Sequence, residues 1–234
     1  MEKKKPRILA HRGYTKKFQE NTFESFYESL KDMRINGVEL DVCQTSDKIL
    51  VCFHDINLER LTGINKDINQ IKYSELEKLK IKKTDKYKTE LKICSFSKML
   101  DLFKYSNKIL NIELKIREDD SEFVKNVLNQ ISIRNMENNV ILTSYNHKLL
   151  TYINKKKFKV GSLIDFEFCQ NDINKYNLDY SFIAVDKRTD NKIIKKLKDM
   201  NKIILIYTLN SYDDNFINNF NDFDVDFVIF DKLI

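Results

Sequence analysis

Apolar and polar positions along the chain fall into two recurring patterns. Short runs rich in β-branched and aliphatic residues have the length of strands: Ile8 to Ala10, Val38 to Val42, Leu50 to Phe53, Ile109 to Leu114, Val140 to Thr143, Val160 to Ile164, Phe182 to Val185, Ile203 to Thr208 and Phe227 to Phe230. Between most of them the apolar spacing becomes helical, as at Phe23, Phe26, Tyr27 and Leu30, at Phe96, Met99, Leu100 and Phe103, and at Ile193, Ile194, Leu197 and Met200. Strands that alternate with helices predict an α/β architecture in which crossover helices connect parallel strands.

These runs are one more than an eight-stranded barrel needs, and the excess resolves at one place. Too few residues separate Val42 from Leu50 for a helical crossover, and Ser46-Asp47-Lys48 supplies turn chemistry. Leu50 to Phe53 is therefore expected as an antiparallel return from the second strand, folding His54 back towards Glu39 and Asp41. Asn21, followed by Glu24, is expected to cap the first helix in the manner of a capping box. Residues 56–91 are polar and lysine-rich, with a helical stretch around Leu76 and Leu79, and read as a small inserted lobe in a single domain spanning 1–234.

With 42% hydrophobic and 32% charged residues, the chain has the composition of a globular protein and not of a disordered one. No apolar stretch approaches the length of a membrane span, and stable membrane insertion is not expected. Met1 to Arg7 carries the charge of a secretory leader, but only Ile8-Leu9-Ala10 follows before His11, too little for an apolar leader core. The net charge of +6 is spread along the chain in runs such as Lys155-Lys156-Lys157, without a nucleic-acid motif, and reads as a solvated lysine face. Cys43, Cys52, Cys94 and Cys169 lack metal-ligand spacing and are expected as reduced core thiols of a cytoplasmic protein, with Cys43 and Cys52 able to face each other across the hairpin.

The chemistry concentrates at the ends of three runs. Glu39 and Asp41 are two positions apart, so on a strand they project from the same face and repel unless a cation lies between them. Glu113, at the end of another run, would complete an all-oxygen set suited to a divalent cation, Mg²⁺ or Ca²⁺. The bland alternative is a buried ion-pair network with Arg12 or Lys115. Phosphodiester cleavage needs charge neutralisation, a base for the nucleophile and an acid for the leaving alcohol. Arg12 and Lys115 offer the positive charge, and His11 and His54 the proton transfers, whereas His147 has no acid nearby and reads as structural.

His11-Arg12-Gly13, Glu20-Asn21-Thr22 with Ser25-Phe26, Gly37-Val38-Glu39-Leu40-Asp41-Val42, Thr45, Asp47, Val51, His54-Asp55, Leu58, Arg60 and Thr62 closely resemble the glycerophosphodiester phosphodiesterase family. Asn111-Ile112-Glu113-Leu114-Lys115, Ser144-Tyr145, Tyr207-Thr208-Leu209-Asn210 and Val225 to Asp231 resemble its later strands. The resemblance implies a (β/α)₈ TIM barrel hydrolysing small-molecule glycerophosphodiesters to sn-glycerol 3-phosphate and an alcohol with a divalent metal ion. It assigns metal binding to Glu39, Asp41 and Glu113, acid/base work to His11 and His54, and phosphate contact to Arg12 and Lys115. Tyr207 stands where the family has a tryptophan, Gln19 where it often has a proline and Asp224 where it usually has a glycine, and Phe230-Asp231-Lys232 replaces a Thr-Asp-Pro ending. Tyr207 then becomes the expected aromatic platform for the glycerol moiety. The competing readings are a lysophospholipase D or phosphoinositide phosphodiesterase acting on a lipid, and an inactive barrel that binds phosphodiesters.

Overall fold

In the computed structural model, eight strands run parallel and close on themselves. The structure describes residues 5–84, 86–116, 120–166, 179–209 and 225–231. In chain order its first half comprises β1 (Arg7–His11), α1 (Phe23–Lys31), β2 (Gly37–Gln44), β3 (Leu50–Cys52), α2 (Glu59–Thr62), α3 (Tyr73–Leu76), β4 (Lys80–Ile81), β5 (Leu91–Lys92), β6 (Cys94–Ser95) and α4 (Phe96–Phe103). The second half comprises β7 (Ile109–Leu114), α5 (Ser121–Ser132), β8 (Val140–Ser144), α6 (His147–Leu150), β9 (Lys159–Ile164), β10 (Phe182–Asp186), α7 (Asn191–Asp199), β11 (Ile203–Leu209) and β12 (Phe227–Phe230). The barrel order is β1-β2-β7-β8-β9-β10-β11-β12, with β12 pairing back onto β1. This is the expected (β/α)₈ TIM barrel.

Alternation along each strand sorts the side chains into two environments. Leu9, Ile141, Leu163, Ala184, Leu205 and Ile229 pack with one another in the barrel interior. Their neighbours Ile8, Ala10, Val38, Leu40, Leu110 and Ile112 join Phe26, Phe103 and Phe123 in the layer between barrel and helices. Strand β2 is buried at every position, so its outward face is Val38, Leu40 and Val42 while Glu39 and Asp41 point inward. Two interior carboxylates in an otherwise apolar strand are costly and call for a compensating charge.

Strand β3 is the antiparallel return, with Val42 opposite Cys52 and Cys43 opposite Val51. The turn closes where Thr45 accepts from the Ile49 amide through its hydroxyl and donates its own amide to the Ile49 carbonyl. The return is shared between two cores. Leu50 and Cys52 join the main one, whereas Val51 and Phe53 join Leu58, Leu61, Ile68, Ile71 and Leu76, contributed by the segment after the return. Leu58 and Leu76 are fully buried there, and truncating either to alanine costs about 2–5 kcal/mol.

Two expectations are corrected. The cap of α1 is Thr22, whose hydroxyl accepts from the Ser25 amide while Ser25 returns a bond to Thr22, so Ser25 and not Glu24 completes the capping box. Asn21 instead turns into the barrel, because Thr22 is already in the extended conformation that a cap requires. Cys43 does not face Cys52, because the hairpin register places Cys52 opposite Cys94 and Cys43 opposite Val51. Cys43, Cys52 and Cys94 are buried free thiols; Cys169 lies outside the described residues, as do Asn210 and Asp224. Among the described residues no helix is long and apolar enough to cross a membrane.

Candidate active site

The site forms at the C-terminal ends of the barrel strands. Lateral register sets its layers: His11 lies beside Glu39 and Glu39 beside Asn111, while Asp41 lies beside Glu113 two residues further up the strands. Carboxylate oxygens of Glu39, Asp41 and Glu113 all lie within 4.8 Å of one another. Glu39 and Glu113 border a cavity of about 160 Å³ that is also lined by His11, Arg12, His54, Lys115 and Tyr207. All eight residues expected in the site therefore converge on one barrel mouth, Asp41 just behind the lining shared by the other seven.

The His11-Arg12-Gly13 turn is built for this placement. Arg12 has a φ of 55° and Gly13 of 91°, and a Cβ on Gly13 would lie 2.4 Å from the Ser25 hydroxyl. A side chain there would meet both left-handed backbone strain and α1 itself. The turn lets the Arg12 amide donate to the Glu39 carbonyl at 2.8 Å and to its carboxylate at 3.2 Å. Asn21, also left-handed at φ 55°, donates from Nδ2 to Asp41 Oδ2 at 2.9 Å.

The ionic alternative is realised in part. Arg12 Nε lies 3.1 Å from Asp41 Oδ2, and Lys115 Nζ lies 2.6 Å from Glu113 Oε1 and 3.7 Å from Asp41 Oδ1. Burial favours the neutral acid at Asp41, but Arg12 and Lys115 outweigh it and hold that carboxyl below the usual range. Glu39 and Glu113 move the other way: burial first, then the charge of Asp41, pushes both well above the usual carboxylate range. Two cations thus leave three carboxylates undercompensated. Asp41 Oδ1 is buried with no hydrogen-bond partner, as is Asn111 Nδ2. An oxygen-rich, undercompensated trio with an orphaned carboxylate oxygen fits a divalent cation.

Each histidine has an acid behind it, and sequence reasoning assigned neither acid a role. His11 Nδ1 pairs with Asp231, which follows β12, while its Nε2 lies 3.6 Å from Glu39. His54 Nδ1 bonds Asp55 at 2.7 Å. For His11, burial lowers the pKa, but the Asp231 bond and the Glu39 charge outweigh it and raise the imidazole overall. For His54, burial dominates and the value falls, with Arg12 and Lys115 acting in the same direction.

Glu20 and Arg60 were also missed. Glu20 Oε1 accepts from Arg12 Nη1 at 2.9 Å and from Arg60 Nη2 at 2.6 Å, and Arg60 Nε donates to Asp55 Oδ2. A chain of charge-assisted bonds therefore runs from Arg12 through Glu20, Arg60 and Asp55 to His54. The hydroxyl of Tyr207 donates to the Ile164 carbonyl at 2.7 Å, and its ring meets Tyr145 edge-on at a centroid separation of 6.4 Å. Tyr145 is the cavity-lining aromatic that sequence reading passed over. His147 bonds the Leu163 carbonyl at 2.9 Å.

The fold and this acidic cluster define a barrel with a site at its mouth, and comparison with known proteins gives its family. The family model described as the glycerophosphoryl diester phosphodiesterase family matches residues 11–234, and the chain belongs to that family. It is 30% identical over 163 residues to a glycerophosphodiester phosphodiesterase of Caldanaerobacter subterraneus subsp. tengcongensis, covering 67% of this chain and 65% of the relative. It is 27% identical over 175 residues to the human lysophospholipase D GDPD1, covering 71% of this chain and 55% of that protein. The chain thus spans under two thirds of the length of these curated relatives. Among solved structures, a glycerophosphodiester phosphodiesterase from Thermotoga maritima superposes with a TM-score of 0.74 at 29% identity, over 97% of this chain and 95% of the other. An Oleispira antarctica phosphodiesterase, solved in complex with the product sn-glycerol-3-phosphate, shares the fold with a TM-score of 0.82 at 21% identity, over 97% and 93%.

Proposed function

We propose that this protein is a metal-dependent glycerophosphodiester phosphodiesterase, releasing sn-glycerol 3-phosphate and an alcohol from glycerophosphodiesters. The observation that carries the reading is the convergence of Glu39, Asp41 and Glu113 within 4.8 Å beside a cavity lined by two histidines, each with a carboxylate behind it. A divalent cation, Mg²⁺ or Ca²⁺, bound there would withdraw charge from a non-bridging phosphoryl oxygen. Arg12 and Lys115 bring further positive charge to the phosphate, and Tyr207 walls the side where the glycerol moiety lies. His11 and His54 divide the proton transfers, one accepting from the oxygen nucleophile and one donating to the leaving alcohol. Family membership and the named phosphodiesterases among the relatives support the substrate class. The free thiols of Cys43, Cys52 and Cys94 accord with a reducing, cytoplasmic setting.

The test is release of sn-glycerol 3-phosphate from a panel of glycerophospho-alcohols, measured by a coupled assay. Turnover should vanish with chelator and with Glu39→Ala, and His11→Ala or His54→Ala should each lower kcat about 10²- to 10⁴-fold. Folded, metal-replete protein that binds the diesters but leaves every one intact would instead mark an inactive binding barrel. The likeness to human lysophospholipase D GDPD1 supports a second reading, in which the substrate keeps an acyl chain. Parallel rates on acylated and deacylated diesters separate the two.

A further inference from the structure

Asn111 is fully buried and borders the active-site cavity, yet its amide nitrogen has no hydrogen-bond partner. In this arrangement the amide oxygen accepts from the Thr143 hydroxyl at 3.3 Å, with Nδ2 on the side away from Thr143. A buried amide left with an unused donor is destabilising unless a second state of the site uses it.

Register identifies the acceptor. On three adjacent strands His11, Glu39 and Asn111 occupy one lateral row, with Glu39 in the middle. Neighbouring strands lie about 4.8 Å apart, so a carboxylate and an amide side by side in such a row meet by side-chain rotation alone. Glu39 Oε2 already accepts from the Arg12 amide. That leaves the second carboxylate oxygen of Glu39, beside Asn111 in the register, as the acceptor the nitrogen could reach. In the same row Ile141 is the next neighbour beyond Asn111, so the nitrogen has no rival acceptor there.

We propose that Asn111 is a positioning residue for the cation site: its amide nitrogen holds the Glu39 carboxylate in the orientation that binds the metal, and the Thr143 hydroxyl holds Asn111. The inference rests on the cation site proposed above and adds to it a residue that touches neither cation nor phosphate. Hydrogen bonds to metal-ligating carboxylates typically change metal affinity by about 10- to 100-fold.

Calorimetric titration of Mg²⁺, and separately of Ca²⁺, into metal-free protein tests it without reference to turnover. Asn111→Leu should weaken cation binding by about 10- to 100-fold while the metal-free protein keeps its circular dichroism spectrum. Thr143→Val, which frees the amide without removing it, should weaken binding in the same direction by a smaller factor. Equal cation affinity in wild type and both variants overturns the proposal. So does an Asn111→Leu protein that binds the cation normally but loses affinity for sn-glycerol 3-phosphate in chelator, because the amide would then serve a substrate hydroxyl. If wild type binds neither cation, the metal-site reading fails and this inference falls with it, an outcome distinct from a variant that merely matches wild type.

Discussion

The two histidines divide the site into a strand-borne half and a loop-borne half. His11 ends β1 and stands in the rigid row of inward side chains, with Glu39 on one side and Asp231 joining it from 220 residues further along the chain. His54 follows the short return β3, and its acid is the next residue, Asp55, itself steadied by Arg60. Backbone pairing therefore fixes the first half, whereas charge-assisted bonds between loops fix the second. Strand register is set by many cooperative bonds, but a loop constellation is as stable as its few ionic links. Removing a single partner should cost the loop-borne half more.

The largest expected effect comes from that asymmetry. Asp55→Asn removes the carboxylate bonded to His54 Nδ1 and also breaks the link to Arg60, so kcat should fall about 10²-fold, the order expected when a reacting group is misplaced. Asp231→Asn leaves His11 beside Glu39 and at the end of a paired strand, and its loss should be nearer about 10-fold. Steady-state kinetics of both variants on one diester decides the matter. If Asp231→Asn is as damaging as Asp55→Asn, the strand does not hold His11 in place and the contrast is lost.

The same division explains what could be read from the chain. The alternation that makes a strand was legible, and with it the convergence of Glu39, Asp41 and Glu113, because inward residues of neighbouring parallel strands meet once register is set. The return that carries His54 followed from the shortness of the link between Val42 and Leu50. Asp231 was not legible as His11's partner, because that contact depends on β12 closing onto β1, a property of the whole barrel. Glu20 and Arg60 stood among matched positions, yet their bond joins residues 40 apart across a loop and the segment after the return, where no periodicity signals a contact. Asn21 was misread because asparagine is a good cap, and the local preference lost to a buried bond with Asp41. Asn111 offered a usable signal: it lies two residues before Glu113 and so shares its inward face.

Breaking the tether alone should have an intermediate effect. Arg60→Ala leaves the His54–Asp55 pair intact but removes its connection to Glu20, and through Glu20 to Arg12. The expected loss in kcat is about 10-fold, smaller than for Asp55→Asn, with the fall in kcat exceeding the change in KM because His54 loses orientation and not its substrate contacts. A change confined to KM would show that Arg60 reaches the substrate itself and is no tether.

The smallest effect concerns stability and acid. Glu20 and Asp55 both titrate below their ordinary values of 4.5 and 3.8: burial alone would raise them, but the hydrogen bonds and charges of Arg60, joined by Arg12 at Glu20 and by His54 at Asp55, outweigh it. A carboxylate with a depressed folded pKa contributes stability that is complete above its unfolded value and is lost as pH falls through the folded one. Their contribution is thus complete at pH 6, begins to shrink only as pH falls to the ordinary values of 4.5 and 3.8, and is lost as pH falls through the depressed folded values. Arg60 is itself half exposed, so solvent screening limits the pair energies to about 1 kcal/mol or less. Denaturant melts of wild type and Arg60→Ala should therefore differ by that small amount at pH 6 and converge as pH falls through the depressed values of Glu20 and Asp55. A gap that persists or widens in acid would show that Arg60 stabilises the loop by packing its stem, and that the loop-borne half is held by more than its charges.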